Sequence, residues 1–147
     1  MAEQKNNTGI DGNRIDQNTA KSLFELAQAA SQNAYAPFSH YRVGAALLTK
    51  GGKVYTGVNI ENSSFGATIC AERTAFVKAI SEGERKFEAI AIYGSDSEAV
   101  PCGICRQFMF EFAPELIVIT AEDPEELHIR TLDMLLPEGF RLEGGKA

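Results

Sequence analysis

The chain has 147 residues, 44% of them hydrophobic, which is enough for one well-filled core and too short to suggest two domains. Its formal net charge is −6 and none of its 14 Lys and Arg residues form a run, so a grip on a polyanion is disfavoured and a small-molecule substrate is favoured over nucleic acid. No stretch near the N-terminus pairs a basic start with an apolar segment of signal-peptide length, and no apolar run approaches a membrane span, so a cytoplasmic protein without membrane attachment is expected.

Residues 1 to about 15 are polar and include Gly9 and Gly12; they are expected to be a disordered tail ahead of a single domain over 16–147. From about Asp16 to Ala34, Leu23, Leu26, Ala27 and Ala30 recur at helical spacing. Pro37 bars continuation of that helix. Val43 to Thr49 and Lys53 to Glu61 read as strands joined through Lys50-Gly51-Gly52 in a hairpin. A helix over about Cys70 to Ser81 stops near Gly83. Ala89 to Tyr93 and Leu116 to Thr120 are short, nearly continuous apolar runs, the pattern of strands covered on both faces. Between them a helix over Cys102 to Phe112 carries Ile104, Phe108 and Phe112 along one stripe and ends before Pro114. Leu127 to Arg130 reads as a last strand, and Thr131 to Leu136 as a short helix capped by Thr131. This order predicts an α/β fold, a three-layer α/β/α sandwich around a mixed sheet of about five strands.

The chain has three cysteines. An odd number, two of them in a Cys-x-x-Cys, fits a reducing compartment and a metal site better than a disulfide framework. They stand in Thr68-Ile-Cys-Ala-Glu-Arg-Thr74 and in Pro101-Cys-Gly-Ile-Cys-Arg-Gln107. Residues three apart share a helix face, so Cys102 and Cys105 can clasp one ion while Pro101 pre-sets the turn that starts the helix. Cys70, delivered by the other helix, is the third donor. Both helices would then aim their N-termini at the metal, and the partial positive charge of each terminus favours thiolate over thiol. Three thiolates on a divalent ion sum to −1, which weakens it as a Lewis acid. Arg73 and Arg106, each directly following Glu72 and Cys105, are candidates to hydrogen-bond the sulfurs and draw off that charge, although in isolation either also reads as a solvated helix-surface residue.

Three protein ligands leave a position open, as in catalytic rather than structural zinc sites. A fourth ligand from His40 or His128 would close the site, but neither has ligand spacing to a cysteine. A thioredoxin-type redox pair at Cys102 and Cys105 would leave Cys70 and Glu72 without a role. Glu72 is turned about 200° from Cys70 on an ideal helix, which suits a base beside the metal better than a ligand; alone it also fits a first-turn glutamate favoured by the helix dipole. Strand alternation puts Asn59 and Glu61 on one face. An amide beside a carboxylate can bind adjacent sugar hydroxyls, and a solvent-facing polar edge fits the same alternation.

Cys-x-Glu with Pro-Cys-x-x-Cys is the cysteine variant of the zinc deaminase signature. Together with Tyr35-Ala-Pro-Phe-Ser-His-Tyr-Arg-Val-Gly-Ala-Ala-Leu47, Asn59-Ile-Glu-Asn62 and Leu135-Leu-Pro137, it makes the chain resemble the small cytidine deaminases of nucleoside salvage, in order from about Tyr35 to Phe140. The Asn-Ile-Glu-Asn block separates these enzymes from the nucleic-acid-editing and blasticidin deaminases. The resemblance implies one zinc per chain on Cys70, Cys102 and Cys105, and hydrolysis of cytidine and 2′-deoxycytidine to the uridine forms with release of ammonia. It assigns Glu72 as proton shuttle, Asn59 and Glu61 to the ribose, and Tyr41 and Ala71 to the substrate. It also implies a homotetramer with shared sites, in which Phe65 is the candidate for reaching into a neighbour's site. Tyr41 stands where relatives commonly have phenylalanine against the pyrimidine, so its extra hydroxyl needs a partner. Ile104 stands where a small alanine is usual. A relative acting on a modified cytosine compound, or on a base within RNA, is the alternative.

Overall fold

Alternation along each strand decides which layer its side chains join. The computed structural model describes residues 14–145, and within them five strands run in the order β2-β1-β3-β4-β5. These are β1 (Val43–Thr49), β2 (Val54–Val58), β3 (Phe87–Gly94), β4 (Ile117–Thr120) and β5 (His128–Thr131). Only β3 and β4 pair in parallel; the other neighbours are antiparallel. Ala46, Ala89, Ala91, Ile117 and Ile119 face one side and pack on Leu23, Phe24 and Ala27 of α1 (Gln17–Ala30). Ala45, Leu47, Ile90, Ile92 and Val118 face the other, against α2 (Ala71–Ser81), α3 (Gly103–Phe112) and α4 (Leu132–Leu135). The mixed five-stranded sheet between two helical layers is the architecture expected from the order of elements.

Several boundaries differ for local reasons. Helix α1 stops at Ala30 and passes into a 3₁₀ turn over Ser31–Asn33, where the Ser31 hydroxyl donates to the carbonyl of Gln28 at 2.6 Å. Its core face includes Phe24, whereas Leu26 is exposed. On α3 the inward residues are Cys105 and Met109, and Ile104 points outward at 68% exposure. The expected Ile104 stripe is therefore rotated: with Cys105 committed to the interior, the preceding residue, about 100° away, cannot also face it. Thr131 does hold the N-cap position of α4, but its hydroxyl donates to the Asp133 carboxylate rather than capping the backbone. The tail expected over residues 1–15 lies outside the described residues except for Arg14 and Ile15. Ile15 is buried in the α1 layer.

Close approach of backbone explains two glycines. A Cβ on Gly44 would sit 1.9 Å from the carbonyl oxygen of Ala27, and one on Gly57 2.4 Å from both the Ala71 oxygen and the Ala75 nitrogen. Glycine thus lets β1 contact α1 and lets β2 contact the first turns of α2. Past Asn59, whose N–H still donates to the Val43 carbonyl, the chain leaves β1, and Ile60 bridges both Tyr35 and Ile69. That crossing brings Asn59 and Glu61 beside the segment that enters Cys70.

Candidate active site

Helices α2 and α3 begin at the same place. Cys70 is the N-cap of α2 and Cys102 the N-cap of α3, both with extended backbone and neither using its side chain to cap. A serine or aspartate at an N-cap normally spends its oxygen on the first-turn N–H groups; here the sulfurs are kept for another partner. Cys105, one turn into α3, is fully buried. Pro101 precedes the N-cap instead of occupying the first helical position. The Cys70 and Cys102 sulfurs are 4.0 Å apart, and all three sulfurs lie within 4.8 Å of one another. Tetrahedral zinc with Zn–S bonds of about 2.3 Å needs sulfurs roughly 3.8 Å apart, so a small contraction onto an ion satisfies the set. Among the described residues no other cluster of His, Cys, Asp and Glu has this geometry, and neither His40 nor His128 belongs to it.

The local electrostatics ask for a cation. A hydrogen bond from Cys105, opposed by burial and aided by Arg73, draws the Cys70 thiol down to about 5. The same contact with Cys70, together with burial and the charge of Glu72, pushes the Cys105 thiol up. Sulfurs this close repel one another as thiolates unless a metal ion compensates them, while the positive ends of two helix dipoles favour the ionised form.

Arg73 meets its expectation in geometry: its Nη2 donates to Cys70 Sγ at 3.6 Å and to the carbonyl of Thr68 at 3.3 Å, with its buried Nε left without a partner. Arg106 does not hydrogen-bond a sulfur. Its Nε donates to the Pro101 carbonyl and its Nη1 to the Leu135 carbonyl, each at 2.7 Å. One residue past Cys105 it is turned away from the sulfur face, and it braces the turn before Cys102 against α4 instead.

Glu72 is 4% exposed in the first turn of α2. Burial pushes its carboxyl up, and the charge of Cys70 adds to this. Glu72, Cys70, Ala71 and Cys102 form one end of a cavity of about 390 Å³ whose other walls are Tyr41, Asn59, Glu61 and the loop from Ser97 to Val100. This is the size range of small-ligand sites. A second cavity of about 420 Å³, lined by Lys50, Lys86 and Leu116 among others, sits at the opposite end of β3 and β4 and holds no cysteine.

Asn59 and Glu61 line the cavity while also shaping it. Asn59 Oδ1 accepts from the Val43 N–H at 2.9 Å and its Nδ2 donates to the Tyr41 carbonyl at 2.7 Å. Glu61 Oε1 accepts from the N–H groups of Phe38 and Ser39 at 2.9 and 3.1 Å. Hydrogen bonding from Ser39, against some desolvation and with help from Phe38 and nearby His40, holds its carboxyl below the usual range. Each keeps spare capacity: one amide hydrogen on Asn59 and the second oxygen of Glu61. The hydroxyl of Tyr41 donates to the Ser97 carbonyl at 2.9 Å. Phe65 is not brought into this cavity; it is 75% exposed and meets Phe38 edge-on at 5.8 Å. Ser97 and Glu98, which sequence reasoning passed over, are part of the wall. Their partners are 22 to 56 residues away in the chain, and no local signal marks them.

Fold and site together define a deaminase of the zinc-dependent class, with two helix N-termini gathering three sulfurs and presenting Cys70, Cys102 and an acid to one cavity. Residues 17–121 match the family described as the cytidine and deoxycytidylate deaminase zinc-binding region, and the chain belongs to that family. It is 45% identical over 131 residues to a probable cytidine deaminase of Dictyostelium discoideum, covering 88% of each chain. It is 46% identical to a cytidine deaminase of Halalkalibacterium halodurans over 82% of this chain and 93% of the other. The crystal structure of cytidine deaminase from Burkholderia pseudomallei superposes with a TM-score of 0.78 at 42% identity, covering 86% of this chain and all of that one. Among the described residues no helix is long and apolar enough to cross a membrane.

Proposed function

We propose that the protein hydrolyses cytidine and 2′-deoxycytidine to uridine and 2′-deoxyuridine, releasing ammonia, in cytoplasmic pyrimidine salvage. The observation that carries this reading is the buried carboxyl of Glu72 beside three clustered sulfurs at the foot of a cavity walled by Asn59 and Glu61. Cys70, Cys102 and Cys105 would hold zinc, which would supply the Lewis acidity that makes a water nucleophilic near neutral pH. Glu72 takes a proton from that water as it attacks C4, hands one to N3, and carries the next to the departing amine. Water and cytidine are consumed, and ammonia and uridine leave. Burial suits the task, because a carboxyl pushed up from its ordinary value gives and takes protons more evenly.

The remaining walls orient the substrate. Asn59 and Glu61 use their spare donor and acceptor on the ribose hydroxyls, Tyr41 lays its ring against the pyrimidine, and the first backbone of α2 at Ala71 closes the base end. Arg73 tempers the charge on the sulfurs, and Arg106 holds the Cys102 turn. Exposed Phe65 with Phe38 forms an apolar rim, which we assign to contact with a neighbouring copy in a homotetramer. The charge of −6 favours a free nucleoside over a nucleic acid. Incubation with cytidine, deoxycytidine and cytosine, followed by ultraviolet absorbance, tests the reading: rapid loss of both nucleosides is expected, and inertness towards both refutes it.

A further inference from the structure

Seven residues, Ser95 to Pro101, connect the end of β3 to Cys102 and supply one wall of the cavity. A connection of this kind is ordinarily among the more mobile parts of a fold, yet this one is tied down on two sides. On the side of β1, the Ser95 N–H donates to the Arg42 carbonyl at 2.9 Å and the Arg42 N–H returns a bond to Ser95 Oγ at 3.0 Å. The Tyr41 hydroxyl then donates to the Ser97 carbonyl. Gly94 makes room for this, since a Cβ there would fall 2.0 Å from the Tyr41 oxygen.

The next residue is pulled the other way. Glu98 Oε1 accepts from the fully buried Thr120 hydroxyl at 2.6 Å and lies 2.7 Å from His128 Nδ1, with Arg130 Nη2 at 3.8 Å. Arg130 Nη2 also donates to Thr120 Oγ1 at 2.9 Å, so the Thr120 hydroxyl accepts from one side and donates to the other. This cluster sits on the paired ends of β4 and β5, where Thr120 and His128 face each other in register. Neighbouring residues of one wall are thus fastened to opposite halves of the sheet. The distance between Tyr41 and the wall formed by Ala99 and Val100 is set by these two attachments.

We propose that Glu98, latched by Thr120, His128 and Arg130, is a positioning residue that fixes the width of the substrate cavity and so governs affinity for the nucleoside. It acts through the Ser95–Pro101 wall, without touching the reacting atoms. The inference rests on the nucleoside reading of the cavity. Freed of the latch, the wall follows Tyr41 or drifts outward, and binding suffers before chemistry does.

The test uses zinc-loaded protein with cytidine turnover and uridine binding by calorimetry. Glu98→Ala should raise KM for cytidine about tenfold and weaken uridine binding by a similar factor, with kcat within about threefold and zinc per chain unchanged. Glu98→Gln keeps an oxygen for the same two donors and should restore KM to within about threefold of the parent. His128→Ala, which removes a half-exposed partner at little risk to folding, should raise KM about threefold alone and add nothing in the Glu98→Ala background. An unchanged KM in Glu98→Ala, a kcat and zinc loss without a KM effect, or full additivity with His128→Ala would each overturn the proposal. Should the parent neither turn over cytidine nor bind uridine, it is the nucleoside reading that fails.

Discussion

Asn59 and Glu61 each do two things with one side chain, and the two can be separated by measurement. Glu61 anchors two loop N–H groups with one oxygen and keeps the other, so Glu61→Ala should raise KM for cytidine by about tenfold or more. Its effect on free cytosine, which has no ribose, should be much smaller; equal effects on both would contradict the ribose assignment. Asn59 joins the Val43 N–H to the Tyr41 carbonyl, so Asn59→Ala should in addition cost about 1–3 kcal/mol of stability, visible as a melting temperature lowered by a few degrees in calorimetry. Residues whose chemistry dictates both type and spacing were legible in the sequence: Cys70, Cys102 and Cys105 converge as expected, and Glu72 is buried beside them. Arg106 was not, because its partner, the Leu135 carbonyl, lies 29 residues away in the chain. Glu98 was invisible for the same reason.

At the level of elements, the site is held in place by helices seated directly on strands. Gly57→Ala would drive a methyl into the backbone of Ala71 and Ala75, displacing the turn that carries Glu72. Overpacking of this kind costs about 1–3 kcal/mol, so the melting temperature should fall by about 3–10 °C and zinc should be lost more readily to a chelator. Gly66→Ala, with no atom within 4 Å of the new methyl, should do neither. Acid should also weaken the β4–β5 end. Partial burial tends to raise the Glu98 carboxyl, but hydrogen bonds from Thr120 and His128 and the charges of His128 and Arg130 outweigh it and hold the group below its ordinary 4.5. A lowered folded-state value contributes stability above pH 4.5 that is lost as pH falls through that lowered value. Unfolding curves between pH 5 and pH 3 should therefore be steeper for the parent than for Glu98→Gln. Strand β1 matched its expected bounds because its continuous apolar run and the Gly-Gly turn both mark it, whereas β2 ends at Val58, three residues early. What shortens it is pairing of Ile60 with Tyr35 and Ile69, a tertiary choice that period-two spacing cannot reveal.

For the molecule as a whole, the three-layer order around a mixed sheet followed from the succession of elements, with β3 and β4 as the parallel pair. Assembly was not legible from periodicity; the exposed aromatic pair Phe38 and Phe65 is the surface we propose for contact between copies. Sedimentation should show a species of four chains, and Phe65→Ala should lower kcat/KM while leaving zinc in place; a fully active monomer would contradict shared sites. The account as a whole turns on one ion held by three sulfurs with a single carboxyl moving the protons. Zinc per chain and ammonia release from cytidine, measured side by side for the parent protein and Glu72→Gln, test it most directly. One zinc in both proteins is expected, with turnover falling by about a thousandfold or more in the variant. Activity in metal-free parent protein, or near-parental turnover by Glu72→Gln, would contradict it.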